Sequence, residues 1–511
     1  MKSFKKKIDA FFDDRRYSTG TVTTLIISSV IVLNLILCYL TQIFGLYFYK
    51  AEYTEDFTIS GMTDEVFGEA EEQGEKITIT FLMDRDSLDA HATGGFVLDT
   101  VEQFKQRYED FITLRYVNTL TKLDQDGNRV ELEKYKKDMR GNDVSLARTA
   151  VIFESSHSHR VLSNVVGGVG FVDFYTFDSS GSIVSFNGET IVSSMIMWVL
   201  AQEHKTAYIT ANHSEENDSN FATMLAASGY YLGAINLQDS DVPSDAAMVV
   251  ISNPKNDFER AAAGSGIETE IERLEKYVNA GGNLYVSLDP YVKRLNNLET
   301  FIEGFGIKLR SEPTDSGELR YLVRDPNKAI TIDGYTILAD IAKGGIADSI
   351  SATVSSYADG GIILRDAAAL ELSGNAKPVL VTSGGSECTL GGEVADTKGG
   401  YTIAAHSTHT HTDDGGVSNT ANIFVVSSIY LCSSDAVTSN AYSNRDFIYS
   451  LFDHAFGAEN PPYGANSVTY FADDLKNLTM GEAKLYTALL LTIPAVIAAV
   501  GVAVTIRRKN R

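Results

Sequence analysis

Hydrophobic positions between residues 76 and 185 follow two periods in turn. Ile77–Leu82 alternates apolar and polar side chains, which indicates a strand, and Ile112–Val117 repeats that pattern. Between them the apolar residues are spaced by four, three, four and three, which predicts a helix with one buried face: Val97, Val101, Phe104, Tyr108 and Phe111. A hairpin is predicted over Ala150–Val161. Strand, helix, strand and hairpin, closed by a helix from about Gly188, favour a thioredoxin-like α/β domain at 52–185.

A second, more regular alternation of strands and helices runs from residue 186 to 458. Short apolar runs predict strands that are buried on both faces: 207–210, 231–237, 247–252, 284–288 and 423–427. Helical spacing separates these runs, and glycines such as Gly229 and Gly457 mark helix ends. This order predicts a doubly wound parallel sheet. Residues 311–422 interrupt it with short β-like runs and glycine-rich loops, which we interpret as a β-rich insertion.

Two uncharged apolar segments lie near the ends of the chain. Residues 25–48 would reach about 36 Å as a helix and residues 485–506 about 33 Å, and either length crosses a bilayer. Residues 1–24 and 507–511 are basic, so the positive-inside rule places both ends in the cytoplasm and the bulk outside it, with a linker at 459–484. The alternatives are a cleaved signal peptide for the first segment and a buried core helix for the second. Two transmembrane helices in the cell membrane are the preferred interpretation.

Charge and cysteine content narrow the function. The chain has a net charge of −24 although its ends are basic, which argues against nucleic-acid binding. It has three cysteines, of which Cys38 lies in the first apolar segment, so Cys388 and Cys432 are the one pair that could form a disulfide outside the membrane. No Cys-x-x-Cys motif is present, and redox chemistry is not supported.

His213 is the first candidate for chemistry. It follows the predicted strand 207–210 and precedes Glu215 and Glu216, and ligands in open α/β sheets bind beyond the carboxyl ends of strands. A His–Glu pair could transfer protons, and the same residues also suit a solvated turn or a helix start. A nucleophile elbow would need Cys or Ser after Ser252, where the chain has Asn253-Pro254-Lys255.

A second candidate is the densest group of imidazoles in the chain. His406, His409 and His411 lie within six residues, and in a strand His409 and His411 would share a face and could chelate zinc or copper. The alternative is a polar surface loop, because Asp413, Asp414 and two glycines follow. Metal binding by these histidines is therefore a hypothesis.

Several short blocks occur in a specific order along the chain: Phe186-Asn187-Gly188-Glu189 with Ser193-Ser194, Thr210 to Glu215, Ser228-Gly229-Tyr230, Val250 to Lys255, Tyr277 to Leu284, and Val381-Thr382-Ser383. In this order they resemble the GldG-like family, the gliding-motility auxiliary components of ABC transporters. The family usually has Gly-His-Gly-Glu where this chain has Asn212-His213-Ser214-Glu215. The resemblance implies a separate ATPase and a membrane permease as partners, and a sheet similar to class I glutamine amidotransferases.

The preferred hypothesis is therefore a non-catalytic membrane-anchored subunit without a cofactor. No Gly-x4-Gly-Lys-Ser/Thr motif occurs in the chain, so energy for transport would come from the partner ATPase. The alternative is an envelope-facing hydrolase or transferase that uses His213 and Glu215.

Overall fold

The structure is a computed structural model that describes residues 58–163, 170–177, 183–216, 219–262, 264–314, 317–358, 360–413, 415–439, 441–458, 461–465 and 467–469. Both predicted transmembrane segments, 25–48 and 485–506, lie outside these ranges. Within the ranges, every helix is too short or too polar to cross a membrane. The helices are α1 (Asp64–Glu72), α2 (Arg85–Asp89), α3 (Gly94–Arg107), α4 (Gly188–Leu200), α5 (Ser219–Ala227), α6 (Glu270–Asn279), α7 (Asn296–Glu303), α8 (Ile346–Tyr357), α9 (Ser434–Val437) and α10 (Asn444–Phe456).

The first sheet is built from the N-terminal part of the described chain. Its strands are β1 (Ile77–Phe81), β2 (Ile112–Asn118), β3 (Leu123–Asp124), β4 (Val151–Glu154) and β5 (His159–Leu162). They lie in the order β3-β2-β1-β4-β5, with β1 parallel to β2 and antiparallel to β4. Aromatic rings pack together beside this sheet. The ring centroid of Phe67 in α1 lies 6.3 Å from that of Phe104 in α3 and 5.5 Å from that of Phe111, which precedes β2. This sheet therefore has an apolar core of its own.

Helix α4 joins the first sheet to the rest of the chain. It follows the short strands β6 (Tyr175–Phe177) and β7 (Ile183–Phe186), and it contacts β4, β5, α3 and α5. Most of its side chains are buried, including the carboxylate of Glu189, which accepts hydrogen bonds of 2.6 Å from the backbone N–H and the hydroxyl of Ser60. Because α4 is apolar nearly all round, it is a central element and not a surface helix.

The largest sheet lies in the C-terminal part. The remaining strands are β8 (Thr206–Thr210), β9 (Tyr231–Ile235), β10 (Ala246–Ser252), β11 (Asn283–Ser287), β12 (Ile307–Leu309), β13 (Ser311–Thr314), β14 (Gly317–Arg320), β15 (Leu322–Arg324), β16 (Thr336–Ile341), β17 (Ile362–Arg365), β18 (Leu370–Leu372), β19 (Lys377–Val381), β20 (Glu387–Leu390), β21 (Glu393–Asp396), β22 (Thr402–Thr412), β23 (Ser418–Val426) and β24 (Val468–Thr469). Among the described residues the large sheet has 11 strands, nine of them in the order β17-β16-β19-β22-β23-β11-β10-β8-β9.

One half of the large sheet is parallel, and its inner strands are covered on both faces. Strands β9, β8, β10, β11 and β23 run in one direction. Met248 and Val250 of β10 pack into a core that contains Phe447 of α10, whereas Val249 packs into a second core with Ile271 of α6. Burial on both faces explains why these strands are continuous apolar runs in the sequence.

The other half of the sheet corrects the predicted fold class. Strand β22 pairs antiparallel with β23, and β19, β16 and β17 continue the antiparallel order outward. The predicted fold class of the described residues, a thioredoxin-like domain and a doubly wound parallel sheet with a β-rich insertion, is therefore wrong. The residues seen form a mixed α/β fold with several sheets. Segment 311–422 was predicted to be an insertion because the sequence of a strand with one polar face does not indicate which sheet the strand joins. Long-range strand pairing determines the sheet to which it belongs.

Candidate functional site

Three neighbouring parallel strands end at one edge of the large sheet. Strands β8, β10 and β11 finish at Thr210, Ser252 and Ser287, and their registers place these ends side by side. The segments that follow each strand therefore meet above this edge, which is where ligands bind in open α/β sheets. We call this region the carboxyl-edge site and define it by residues 210–216, 252–258, 270 and 287–289.

The backbone at the carboxyl-edge site is locally strained. Asn212, Ser214 and Asn253 have φ angles of 86°, 55° and 48°, which lie in the left-handed backbone region that residues other than glycine rarely adopt. The two loops hold each other, because the backbone N–H groups of Lys255 and Asn256 both donate to the carbonyl of His213, at 2.8 and 3.0 Å. Such strain persists only where surrounding contacts fix the backbone, as they do here.

His213 lies between two carboxylates and is closed off from solvent. Its side chain is 2% exposed. Nδ1 lies 3.4 Å from Glu215 Oε1, and Nε2 lies 3.1 Å from a carboxylate oxygen of Glu270, the first residue of α6. The ring of Phe258 stacks on the imidazole with a centroid distance of 3.8 Å. Both nitrogens and one ring face are thus in contact with protein groups.

The electrostatics favour an imidazolium at this position. Burial alone would lower the pKa of His213, but the hydrogen bonds and charges of Glu215 and Glu270 outweigh it and raise the pKa. For Glu215, burial would raise the pKa, and the hydrogen bonds from His213 and from backbone N–H groups lower it instead. The arrangement is an internal ion-pair network in which a cation links two loops.

A second ion-pair group lies on the outer side of the carboxyl-edge site. Lys255 Nζ lies 2.7 Å from Asp289 and 3.2 Å from Glu216. Burial opposes the charge of Lys255, and the hydrogen bonds of its two carboxylate partners raise its pKa. The residues after β8, β10 and β11 are therefore joined to one another by charge as well as by backbone hydrogen bonds.

The position of a nucleophile elbow is occupied by Asn253. It follows β10 directly, its φ of 48° gives the sharp turn that an elbow requires, and its residue is 5% exposed. The side-chain oxygen of Asn253 is buried without a hydrogen-bond partner among the described residues. An amide is not a nucleophile, so this turn has the backbone of an elbow without the reactive group.

The three histidines of the second candidate do not converge. His406 Nε2 lies 3.1 Å from the Asn422 side-chain oxygen, and His409 Nε2 lies 2.9 Å from that of Asn279. His411 is exposed, and strand alternation puts it on the face of His409, opposite His406. Burial lowers the pKa of His406. In the described part of the chain, no three His, Cys, Asp or Glu side chains are grouped as a metal site would require.

Cys388 and Cys432 are both buried thiols, and they form no disulfide with each other. Cys388 lies in β20, and burial raises the pKa of its thiol to about 12. The Sγ of Cys432 lies 3.9 Å from the hydroxyl of Tyr285 in the core of the large sheet. Both therefore act as small apolar residues.

Glu270 and Phe258 contact His213 and were not predicted from the sequence. Glu270 lies at the first position of α6, where an acidic side chain is normally interpreted as a solvent-exposed partner of the helix dipole. The available signal was the Thr269–Glu272 pair, which marks the helix start and thus fixes where residue 270 points.

Comparisons with known proteins identify no family for this chain. No protein-family model matches it, and no curated protein matches it in sequence. Among solved structures, the mmIFT52 N-terminal domain is 15% identical over 49% of this chain and 96% of its own, with a TM-score of 0.33. PurLQS from Thermotoga maritima is 12% identical over 49% of this chain and 99% of its own, with a TM-score of 0.27. A ThuA-like protein from Bacteroides uniformis is 10% identical over 50% of this chain and 89% of its own, with a TM-score of 0.28. At scores this low, none of them supports an argument about function.

Proposed function

We propose that this protein is a non-catalytic auxiliary subunit of an ABC-type transport system. It is anchored in the cell membrane at both ends and presents its α/β region outside the cytoplasm to cargo, envelope or partner subunits. The observation that carries the non-catalytic part is the enclosure of His213, which is 2% exposed and lies between Glu215 and Glu270.

A catalytic role for His213 would require access that the geometry does not offer. A general base must reach the proton of its substrate within hydrogen-bond distance, directly or through one water. Here both imidazole nitrogens face carboxylates of the same chain, and Phe258 covers one face of the ring. The alternative function, a hydrolase or transferase that uses His213 and Glu215, is therefore less well supported than the non-catalytic role.

The transport assignment is supported by the sequence. The ordered blocks from Phe186 to Ser383 resemble the GldG-like family, whose members work with a separate ATPase and a permease. The chain itself has no phosphate-binding loop, so it depends on a partner for energy. Its two uncharged terminal segments would anchor it beside the permease in the lipid bilayer.

The direct test is co-purification of the full chain from membranes dissolved in a mild detergent. We expect an ABC ATPase and a multi-span permease in the eluate by mass spectrometry, at amounts well above those from an untagged strain. An eluate that contains neither subunit would contradict the proposal. Protease added to intact spheroplasts should digest the central part of the chain; protection of that part would contradict the extracytoplasmic placement.

The enzyme alternative is tested separately. Purified full-length protein is assayed on esters, amides and glycosides beside the His213→Ala variant. We expect no turnover by either protein. Turnover that disappears in the variant, while the variant keeps its unfolding midpoint near that of the wild type, would overturn the non-catalytic assignment.

A further inference from the structure

A cavity of about 290 Å³ lies between the first sheet and the large sheet, and it shares no lining residue with the carboxyl-edge site. Its walls come from β5, α4, α5, β9 and the loop 138–144. The side chains that matter for the argument are Arg160, Trp198, Tyr231 and Asp138. We call it the seam cavity. Its volume suits a small molecule or a fragment of one, and it is lined by both aromatic and charged groups.

Arg160 is the cation of the seam cavity. Its guanidinium carbon lies 4.9 Å from the centre of the Trp198 ring, and Nη1 donates to the carbonyl of Ala226 at 3.3 Å. Within the described residues it forms no ion pair with a carboxylate, and one of its five N–H donors has a protein acceptor. Burial lowers the pKa of Arg160 to about 10. A half-buried guanidinium without a carboxylate partner favours an anion beside it.

The other charged groups near the seam cavity have partners already. Arg140 lies over the Tyr231 ring at 3.8 Å, pairs with Asp245 at 3.6 Å and donates to the hydroxyl of Thr206. Asp138, the carboxylate of the cavity wall, accepts hydrogen bonds from the backbone N–H groups of Arg140 and Asn142 in its own turn. Asp138 is therefore not placed to neutralise Arg160 by direct contact. The charge of Asp173 opposes the effect of burial on the pKa of Arg160, but the two side chains, both within the described ranges, form no ion pair.

One polar atom of the residues that line the seam cavity, the hydroxyl of Tyr231, is buried without a hydrogen-bond partner among the described residues. An unpartnered buried donor or acceptor costs free energy that a ligand can recover. The cation, the aromatic walls and the open hydroxyl thus share one location.

We propose that the seam cavity binds a small organic anion, with a carboxylate or phosphate held by the guanidinium of Arg160 and an apolar body packed against the apolar side chains of the cavity wall. The planar fork of an arginine matches both head groups in a bidentate manner. This site is independent of the proposed transport function, and either assignment can fail without the other.

Trp198 makes the test direct, because it is the one tryptophan of the chain. Purified full-length protein in detergent is titrated with butyrate, butyl phosphate and butanol while tryptophan fluorescence is recorded. We expect a saturable change with at least one of the two anions and none with butanol. The anion that binds more tightly distinguishes a carboxylate from a phosphate ligand. No saturable change with either anion, or an equal response to butanol, would overturn the proposal.

Variants of Arg160 test whether the fluorescence change comes from binding in the seam cavity. Arg160→Gln should weaken binding by about tenfold or more, since it removes a charge-assisted hydrogen bond. Arg160→Lys keeps the charge, loses the fork and should bind more weakly than the wild type; it decides the question if Arg160→Gln does not fold. The matched control is Arg365→Gln, because Arg365 also lies over an aromatic ring, that of Tyr430 at 4.6 Å. The control should bind as the wild type does, and wild-type binding by both Arg160 variants would refute the site.

Discussion

The Nε2 atom of His213 lies 3.1 Å from a carboxylate oxygen of Glu270, a residue 57 positions further along the chain. This contact joins the loop after β8 to the first turn of α6. The same carboxylate accepts a hydrogen bond from the backbone N–H of Glu259 at 2.7 Å. One glutamate therefore holds two separate loops in place over the ends of the parallel strands.

Replacing His213 should destabilise the protein. His213→Gln removes a cation that lies between two buried carboxylates, and breaking such a network typically costs about 3 kcal/mol of unfolding free energy. Urea unfolding followed by circular dichroism measures the change. His411→Gln is the control, because His411 is exposed, and it should leave the unfolding midpoint unchanged. Equal midpoints for the wild type and His213→Gln would contradict the network.

The contribution of this network should depend on pH in both directions. The folded pKa of His213 is raised above its ordinary 6.5, so its contribution to stability is complete below that pH and is lost as the pH rises through the folded pKa. The folded pKa of Glu215 is lowered below 4.5, so its contribution is present above that pH and is lost as the pH falls through the folded pKa. The difference in stability between the wild type and His213→Gln should therefore be largest between pH 4.5 and 6.5. A difference that does not vary with pH would rule out this linkage.

Gly188 should not tolerate a methyl group. A Cβ at this position would lie 2.4 Å from the buried ring of Phe186, which packs against Tyr175 at 5.1 Å. We expect Gly188→Ala to lower the unfolding free energy by about 1–3 kcal/mol, the usual cost of overpacking. Gly68→Ala is the matched control in α1, where nothing lies within 4 Å, and it should stabilise the protein by about 0.5–1 kcal/mol. Stabilisation by Gly188→Ala would refute the close approach.

Cys388 should resist alkylation in the folded protein. Its residue is 0% exposed, and its thiol pKa of about 12 leaves almost no thiolate at neutral pH. Mass spectrometry of peptides after treatment with iodoacetamide should find Cys388 unmodified in the native protein and modified in urea. Rapid modification of the native thiol would contradict its placement inside β20.

The sequence predicted the inner parallel strands well because both of their faces are buried. Ala246–Ser252 is apolar along its length, so its type and its bounds could be predicted without knowing its neighbours. Strand β22 (Thr402–Thr412) alternates threonine and histidine over its exposed end, a pattern equally typical of a loop. Helix α8 has serine, threonine and alanine where a helix usually has leucine, and it was not predicted.

The proximity of His213 and Glu215 follows from spacing, whereas the contact with Glu270 depends on the loop 253–269.

The pairing of β11 with β23 has a consequence for synthesis on the ribosome. Leu284 lies opposite Ile423 and Ser287 opposite Val426, so the inner parallel strand β11 gains its second neighbour only after residues 423–426 have been translated. Until then β11 carries an unpaired apolar edge, the kind of surface to which chaperones bind and through which nascent chains aggregate. We therefore expect this polypeptide to depend on chaperones while it is being made.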